Sequence, residues 1–107
     1  MGAQDFIVAH SGTSARNAFN EAVIEAKYEY GCDGYTGSIA EKGDFLMIKI
    51  PDDFKSDYQG CSIDMVAEDY IDHLIDKCDP RIDNKWGPAG CIDLEDGRYI
   101  FFGWASS

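Results

Sequence analysis

The sequence predicts an α+β protein in which two helices lie on one face of a mainly antiparallel sheet. Three observations lead to this class. Two segments repeat apolar residues at helical spacing, several short segments alternate as strands do, and an Asp-Gly pair separates the last two strands. The predicted order, β-α-β-β-α-β-β, is the ferredoxin-like order with an extra C-terminal strand. One domain spanning residues 1–107 is predicted, because the chain is short and 45% hydrophobic.

Capping and turn residues set the boundaries of these elements. Thr13 or Ser14 can cap the first helix, and Gly31 supplies the left-handed residue that commonly follows one. Pro51 ends a strand, and Asp96-Gly97 is the strongest hairpin signal in the chain. The predicted elements are a strand at 5–10, a helix at 15–30, strands at 35–40 and 45–50, a helix within 62–78, and strands at 90–95 and 98–105.

The last strand is apolar on both faces, which predicts a central position in the sheet or cover on both sides. If both helices cover one face of the sheet, the other face exposes aromatic and sulfur-containing side chains. That face would then be covered by loops or serve as the contact surface of a structural homodimer. The residues in question are Tyr35, Phe45, Met47, Tyr99 and Phe101.

Net charge is the most unusual property of this chain. Nine basic and twenty acidic residues give a formal charge of −11 at pH 7. Such a charge opposes direct binding to nucleic acid and to anionic membranes, because both depend on lysines and arginines. The charge is also uneven, since residues 52–83 hold ten acids and three bases, a net −7. This pattern predicts a non-enzymatic protein that binds a basic protein surface, with simple solvation of an acidic surface as the alternative.

Both predicted helices carry acidic residues four positions apart, opposite their apolar stripes. Residues at that spacing lie roughly 6 Å apart along a helix, comparable with phosphates along a nucleic-acid strand. We expect the two rows to form one continuous negative wall that occupies a basic groove built for nucleic acid. The expected partner-binding residues are Asp64, Glu68, Asp69, Asp72 and Asp76 in the second helix, with Glu21, Glu25 and Glu29 in the first.

Cysteine spacing and the N-terminus bear on metals and on cellular location. The four cysteines form no C-x-x-C pair, so neither a structural zinc site nor another cofactor is predicted. Cys78 continues the apolar stripe of the second helix and is expected in the core. The N-terminus lacks a basic segment followed by an apolar run, and no apolar run is long enough to cross a bilayer. These features predict a cytoplasmic protein with free thiols.

A second candidate site lies between the first strand and the first helix. The segment from His10 to Ser14 places hydroxyl and backbone N–H groups at a helix N-terminus, where phosphates and carboxylates bind. The phosphate-binding loop pattern is missing, so helix capping is the simpler interpretation. A small-ligand or enzymatic domain that uses this helix N-terminus is the alternative function, and no catalytic residue is predicted.

Three segments resemble small proteins encoded by phages and mobile elements. They are GYTGSIAEK at 34–42, KWGPAGCIDL at 85–94 and YIFFGWAS at 99–106. Phage proteins of this size and acidity include inhibitors of host defence, among them anti-CRISPR and anti-restriction proteins that imitate nucleic acid. The resemblance therefore implies a phage-type inhibitor in the cytoplasm of the host cell. Its partner would be a host defence protein that binds nucleic acid through a basic surface.

Overall fold

The computed structural model describes residues 3–31 and 37–106, with Ser106 described by its backbone alone. None of the helices in these ranges has the length and hydrophobicity needed to cross a bilayer. The elements in chain order are β1 (Ala3–Ser11), α1 (Ala15–Tyr30), a 3₁₀-helix (Ile39–Glu41), β2 (Phe45–Met47), α2 (Asp52–Ser56), α3 (Ile63–Asp76), β3 (Ala89–Asp93) and β4 (Arg98–Ser106).

The strands form one sheet in the order β1-β4-β3-β2. β4 pairs antiparallel with β1 and with β3, whereas β2 pairs parallel with β3. The predicted class, α+β with a mainly antiparallel sheet, is confirmed, and so is the central position predicted for the last strand. The alternation of strands and helices is consistent with a ferredoxin-like organisation.

The two long helices lie on opposite faces of the sheet, which corrects the expectation that both cover one face. Phe101 and Phe102 are consecutive in β4 and therefore point to opposite sides. Phe101 belongs to a core cluster with Phe19 of α1, and Phe102 to a separate cluster with Leu74 of α3. Both phenylalanines are 0% exposed. A strand that is apolar on both faces needs cover on both faces, and this requirement places one helix on each side.

Both long helices form where their apolar periodicity predicts them. Ser14 and Ser62 cap the two helices, because each side chain accepts a hydrogen bond from the backbone N–H three residues later. Gly31, with a φ of +94°, follows the last residue of α1. α3 ends at Asp76, two residues before Cys78, to which its apolar stripe was expected to continue. Cys78 has a φ of +54° and is exposed, so the core position expected for it is wrong.

The segment before β2 differs from the predicted hairpin. Residues 32–36, which include the predicted turn and the start of the strand predicted at 35–40, lie outside the described ranges. Ile39–Glu41 is a 3₁₀-helix, and the Ser38 side chain caps it by accepting a backbone N–H. β2 is limited to Phe45–Met47 and finds its partner in β3, in parallel orientation.

Lys42 links this segment to the loop that precedes β3 through hydrogen bonds. The residue is 4% exposed, and its ammonium group donates hydrogen bonds to the carbonyl oxygens of Asn84, Lys85 and Gly87 at 3.3, 3.3 and 2.9 Å. Burial lowers the pKa of Lys42 to about 8. This base therefore supports the fold and does not offset the acidic residues at the surface.

The predicted hairpin between the last two strands is present at Asp96-Gly97. The backbone N–H of Leu94 donates to the carbonyl of Arg98 at 3.0 Å, which closes the turn. Gly97 has a φ of +86°, a conformation that glycine adopts without steric cost. The turn connects β3 and β4, which pair antiparallel. The two core phenylalanines belong to β4.

Candidate functional site

The acidic residues expected to form one wall lie on two opposite sides of the molecule. α1 and α3 cover opposite faces of the sheet, and the acidic residues of each helix are opposite its buried side. The prediction of one continuous negative wall is therefore wrong, and the two sides present separate surfaces. Exposed residues on the α1 side are Glu21, Glu25 and Glu29; those on the α3 side are Glu68, Asp69, Asp72 and Asp76.

On the α3 side, Glu68, Asp72 and Asp76 form a row along the exposed face of the helix. Successive members are four residues apart and therefore rise by roughly 6 Å along the helix axis. None of the three forms an ion pair with a basic side chain in the described part of the chain. Like charges at this spacing repel by a few tenths of a kcal/mol per pair, so helix stability does not account for the row.

Asp64, the first acidic residue predicted for this surface, is engaged within the chain. Both of its carboxylate oxygens accept hydrogen bonds from the guanidinium of Arg98, each at 2.9 Å. Arg98 also contacts Asp96 at 2.7 Å, and these two carboxylates raise the pKa of the arginine. Asp64 therefore links the start of α3 to β4, and the guanidinium of Arg98 compensates its charge.

The two basic residues that follow α3, Lys77 and Arg81, form ion pairs with a different carboxylate, that of Asp79. Asp79 is 5% exposed and accepts two hydrogen bonds from the side chain of Arg81, at 2.9 and 3.0 Å, while Lys77 lies 3.7 Å away. The hydrogen bonds from Arg81 lower the pKa of Asp79 to about 2. Since both bases are held at Asp79, they do not pair with the row on α3.

The structure adds α2 to this side, a helix that is not among the elements predicted from the sequence. The ring of Phe54 lies 5.1 Å from that of Tyr58 and 5.0 Å from that of Tyr70 in α3, measured between centroids. The Tyr58 side chain hydrogen-bonds to Asp69, and this bond raises the pKa of Tyr58. These contacts pack α2 against α3, and Asp52 and Asp53 at the start of α2 are exposed. Pro51 followed by two acids was a helix-start signal in the sequence.

The α1 side has a different character although its acidic spacing is the same. Ile24 and Tyr28 lie between the glutamates and are 63% and 95% exposed. Glu25 is paired with His10 of β1 at 3.1 Å. The charges on this side are therefore interrupted by neutral side chains and are offset in part by a histidine.

The alternative site around His10 to Ser14 is used for capping and for linking elements. Ser14 caps α1, and the two ring nitrogens of His10 contact the Ser11 carbonyl at 3.0 Å and the Glu25 carboxylate at 3.1 Å. Both partners accept hydrogen bonds, so the protonated imidazole, in which both ring nitrogens donate, satisfies the two contacts together. The bond to Ser11, followed by those to Glu25, raises the pKa of His10. A 160 Å³ cavity beside His10 is also lined by Glu25 and Glu29, which repel an anionic ligand.

The sheet face considered for a homodimer is covered within the chain. The ring of Phe19 in α1 lies 5.1 Å from that of Phe45 and 5.5 Å from that of Phe101, measured between centroids. Met47 is half exposed at the sheet edge, and Tyr35 lies outside the described ranges. The expected aromatic contact surface is therefore packed against α1.

Known proteins provide no further guide to the site. Neither a family model, nor a characterised protein, nor a solved structure matches this chain. Within residues 3–31 and 37–106, no three His, Cys, Asp or Glu side chains are grouped so that they could hold a metal ion.

Proposed function

We propose that this protein is a non-enzymatic binding protein that uses the α3 side to occupy a basic, nucleic-acid-binding surface of a partner. The observation that carries the proposal is the exposed row of Glu68, Asp72 and Asp76, none of which is paired with a base in the described residues. Asp69 and the acids of α2, which packs against α3 through Phe54, add further exposed carboxylates. The resulting surface repeats negative charge at a spacing close to that of a phosphate backbone.

The geometry favours the α3 side over the α1 side as the binding surface. Charge complementarity requires carboxylates that are free to meet arginines and lysines of the partner. The α3 row meets that requirement, whereas Ile24 and Tyr28 interrupt the charge on α1 and His10 offsets Glu25. Asp64 falls outside the proposed contact, because Arg98 compensates it.

The proposed partner class is a host defence protein that handles nucleic acid. The resemblance to phage and mobile-element proteins motivates this choice, and the charge supports it, because an acidic surface competes with nucleic acid for a basic groove. The protein would act in the cytoplasm of the host cell as an inhibitor that imitates nucleic acid. It would contact the partner without binding nucleic acid itself.

Capture from bacterial extract on immobilised protein tests the proposal. We expect a retained protein that is released by competing duplex DNA or heparin and by salt, because ionic screening shortens to about 8 Å at physiological strength. The variant Glu68→Lys/Asp72→Lys should lose capture. The matched control Glu21→Lys/Glu29→Lys makes the same change in net charge on the other side and should retain it.

Two outcomes would contradict the proposed function. Equal loss of capture in both double variants would mean that overall charge, and not the α3 side, attracts the partner. Capture that survives the α3 double reversal, or that resists competing DNA, would exclude this surface or this class of partner.

A further inference from the structure

β1 is an edge strand of the sheet and lacks the usual features that protect an edge. Among the described residues it pairs with β4 alone, and the register runs without a bulge from Ala3, opposite Ser106, to Ser11, opposite Arg98. Its nine residues include neither proline nor lysine, and Asp5 is the only acid. Proteins usually protect a sheet edge with lysine, proline, a bulge or a covering segment, and an unprotected edge is a template for another strand.

The hydrogen-bond register shows which backbone groups of β1 face outward. The N–H of Gly12 donates to the carbonyl of Gly97 at 3.0 Å, and this pair continues the register of β1 with β4. Opposed residues of an antiparallel ladder alternate between bonded and non-bonded pairs. Even-numbered residues of β1 therefore bond to β4, and the N–H and C=O groups of Asp5, Ile7 and Ala9 point away from it. None of these groups forms a hydrogen bond to another residue in the described ranges.

The 160 Å³ cavity beside His10 lies between this edge and the C-terminal half of α1. Phe6 and Val8 line it with apolar surface, because their side chains point to the α1 side and belong to its core cluster or pack against it. Ile7 also lines the cavity, and since side chains alternate along a strand, its backbone is the part that faces α1. The cavity therefore adjoins the outward backbone groups of the edge.

The charges beside this edge favour a cationic partner. Glu25 and Glu29 line the cavity and are exposed, whereas no lysine or arginine lines it among the described residues. A lysine or arginine side chain has an apolar stem and a charged end, which match the apolar surface and the carboxylates. Antiparallel pairing with the β1 of a second copy would place both α1 helices on one face of the joined sheet, where their glutamates repel.

We propose that the outer edge of β1 binds an extended segment of a partner protein as an added antiparallel strand, in which basic and apolar residues alternate. Its backbone would exchange hydrogen bonds with Asp5, Ile7 and Ala9. Its basic side chains would lie on the α1 face, in the cavity and beside Glu25 and Glu29. Main-chain pairing supplies affinity in this mode of recognition, and pockets for alternate side chains supply specificity. This contact is separate from the α3 side and does not depend on the proposed function.

Titration of the ¹⁵N-labelled protein with the capped peptide Thr-Val-Lys-Val-Lys-Val-Thr, followed by NMR, tests the proposal. We expect saturable shifts in β1 and in the second half of α1. In the free protein, the amide hydrogens of Phe6 and Val8 should exchange slowly and those of Ile7 and Ala9 rapidly, because only the first two bond to β4. Saturating peptide should slow exchange at Ile7 and Ala9 by about tenfold or more.

Three altered peptides separate backbone recognition from charge. Methyl groups on the valine nitrogens, which face β1 when the lysines face α1, should weaken binding by about tenfold or more. Glutamate in place of both lysines should weaken it by a similar factor, because like charges would meet. Hepta-arginine should also bind this edge more weakly, since half of its side chains would place charge beside Ile7, on the face away from the glutamates. Equal binding of the methylated peptide would overturn the added strand, and equal binding of the glutamate peptide would overturn the choice of a basic partner.

Two double variants of the protein test the placement of the site. Glu25→Gln/Glu29→Gln should weaken binding of the lysine peptide about tenfold, since two charged contacts are lost. The matched control Glu68→Gln/Asp72→Asn makes the same change in net charge on the α3 side and should leave the affinity unchanged. Equal effects of the two variants would overturn the placement. The proposal would also fail if Ile7 exchanged slowly in the free protein, if the protein sedimented as a dimer paired through β1, or if the peptide gave no saturable shift.

Discussion

The α1 and α3 sides of this molecule share one sequence pattern and present two different surfaces. Each helix is amphipathic and repeats acidic residues at every fourth position. On α3, three members of the row are exposed and α2 adds further acids beside them. On α1, Ile24 and Tyr28 separate the acids and His10 pairs with Glu25. A row of charges in a sequence becomes a charged surface only where neighbouring elements leave it uncompensated.

The largest expected effect concerns the two-sided sheet on which this comparison depends. Phe101→Ala and Phe102→Ala should each lower the free energy of unfolding by about 3–5 kcal/mol, because each removes a fully buried ring from a different core cluster. Urea denaturation followed by circular dichroism measures both values. If one face of the sheet were open, one of the two substitutions would cost less than about 1 kcal/mol.

A smaller effect is expected at the link between the two sides. Lys42 joins the segment that carries Ile39 of the α1 cluster to the loop that follows Ile82 of the α3 cluster. Lys42→Met leaves three carbonyl oxygens without their donor and should lower the free energy of unfolding by about 1–3 kcal/mol. Lys49→Met, at an exposed lysine, is the matched control and should change it by less than about 0.5 kcal/mol. Similar values for the two variants would show that the buried ammonium does not hold the loop.

The α1 side should also show a pH dependence of its own. The folded-state pKa of His10 is raised above the unfolded value of about 6.5. Its contribution to stability is therefore complete below about pH 6.5 and is lost as pH rises through the folded-state pKa. Urea unfolding between about pH 6 and pH 8 should show a decline that His10→Gln removes. An unchanged decline in His10→Gln would place the titrating group elsewhere.

The smallest expected effect is on stability when the α3 row is altered. Asp72→Asn removes one member of a row of like charges and should raise the free energy of unfolding by a few tenths of a kcal/mol. Glu25→Gln on α1 should lower it, because the pairing with His10 is weakened. Opposite signs in thermal or urea unfolding would support the contrast between the two sides. A clear loss of stability in Asp72→Asn would mean that the row has a structural role.

The sequence predicted local structure better than it predicted how the elements meet. Periodicity and the caps at Ser14 and Ser62 located α1 and α3, and Asp96-Gly97 located the last hairpin. Periodicity defines the apolar side of a helix but does not tell which face of the sheet that side covers. The two consecutive phenylalanines of β4 contained that information, because a strand with two apolar faces needs two covers.

The sequence could not predict which acidic residues of the candidate site are paired with basic residues in the folded chain. Asp64 and Arg98 are 34 residues apart, and only the folded chain brings them into contact. α2 is five residues long and polar, so its periodicity was too short to identify. The parallel pairing of β2 with β3 depends on the crossover through α2 and α3.

The most direct test asks which side of the molecule a basic surface prefers. The ¹⁵N-labelled protein is titrated with a short oligo-arginine peptide at low salt and again at physiological salt, and NMR shift changes are mapped on the chain. We expect changes concentrated in α2 and in residues 68–76 of α3, reduced by salt, with little change in α1. Shift changes of equal size in α1 and α3 would contradict it.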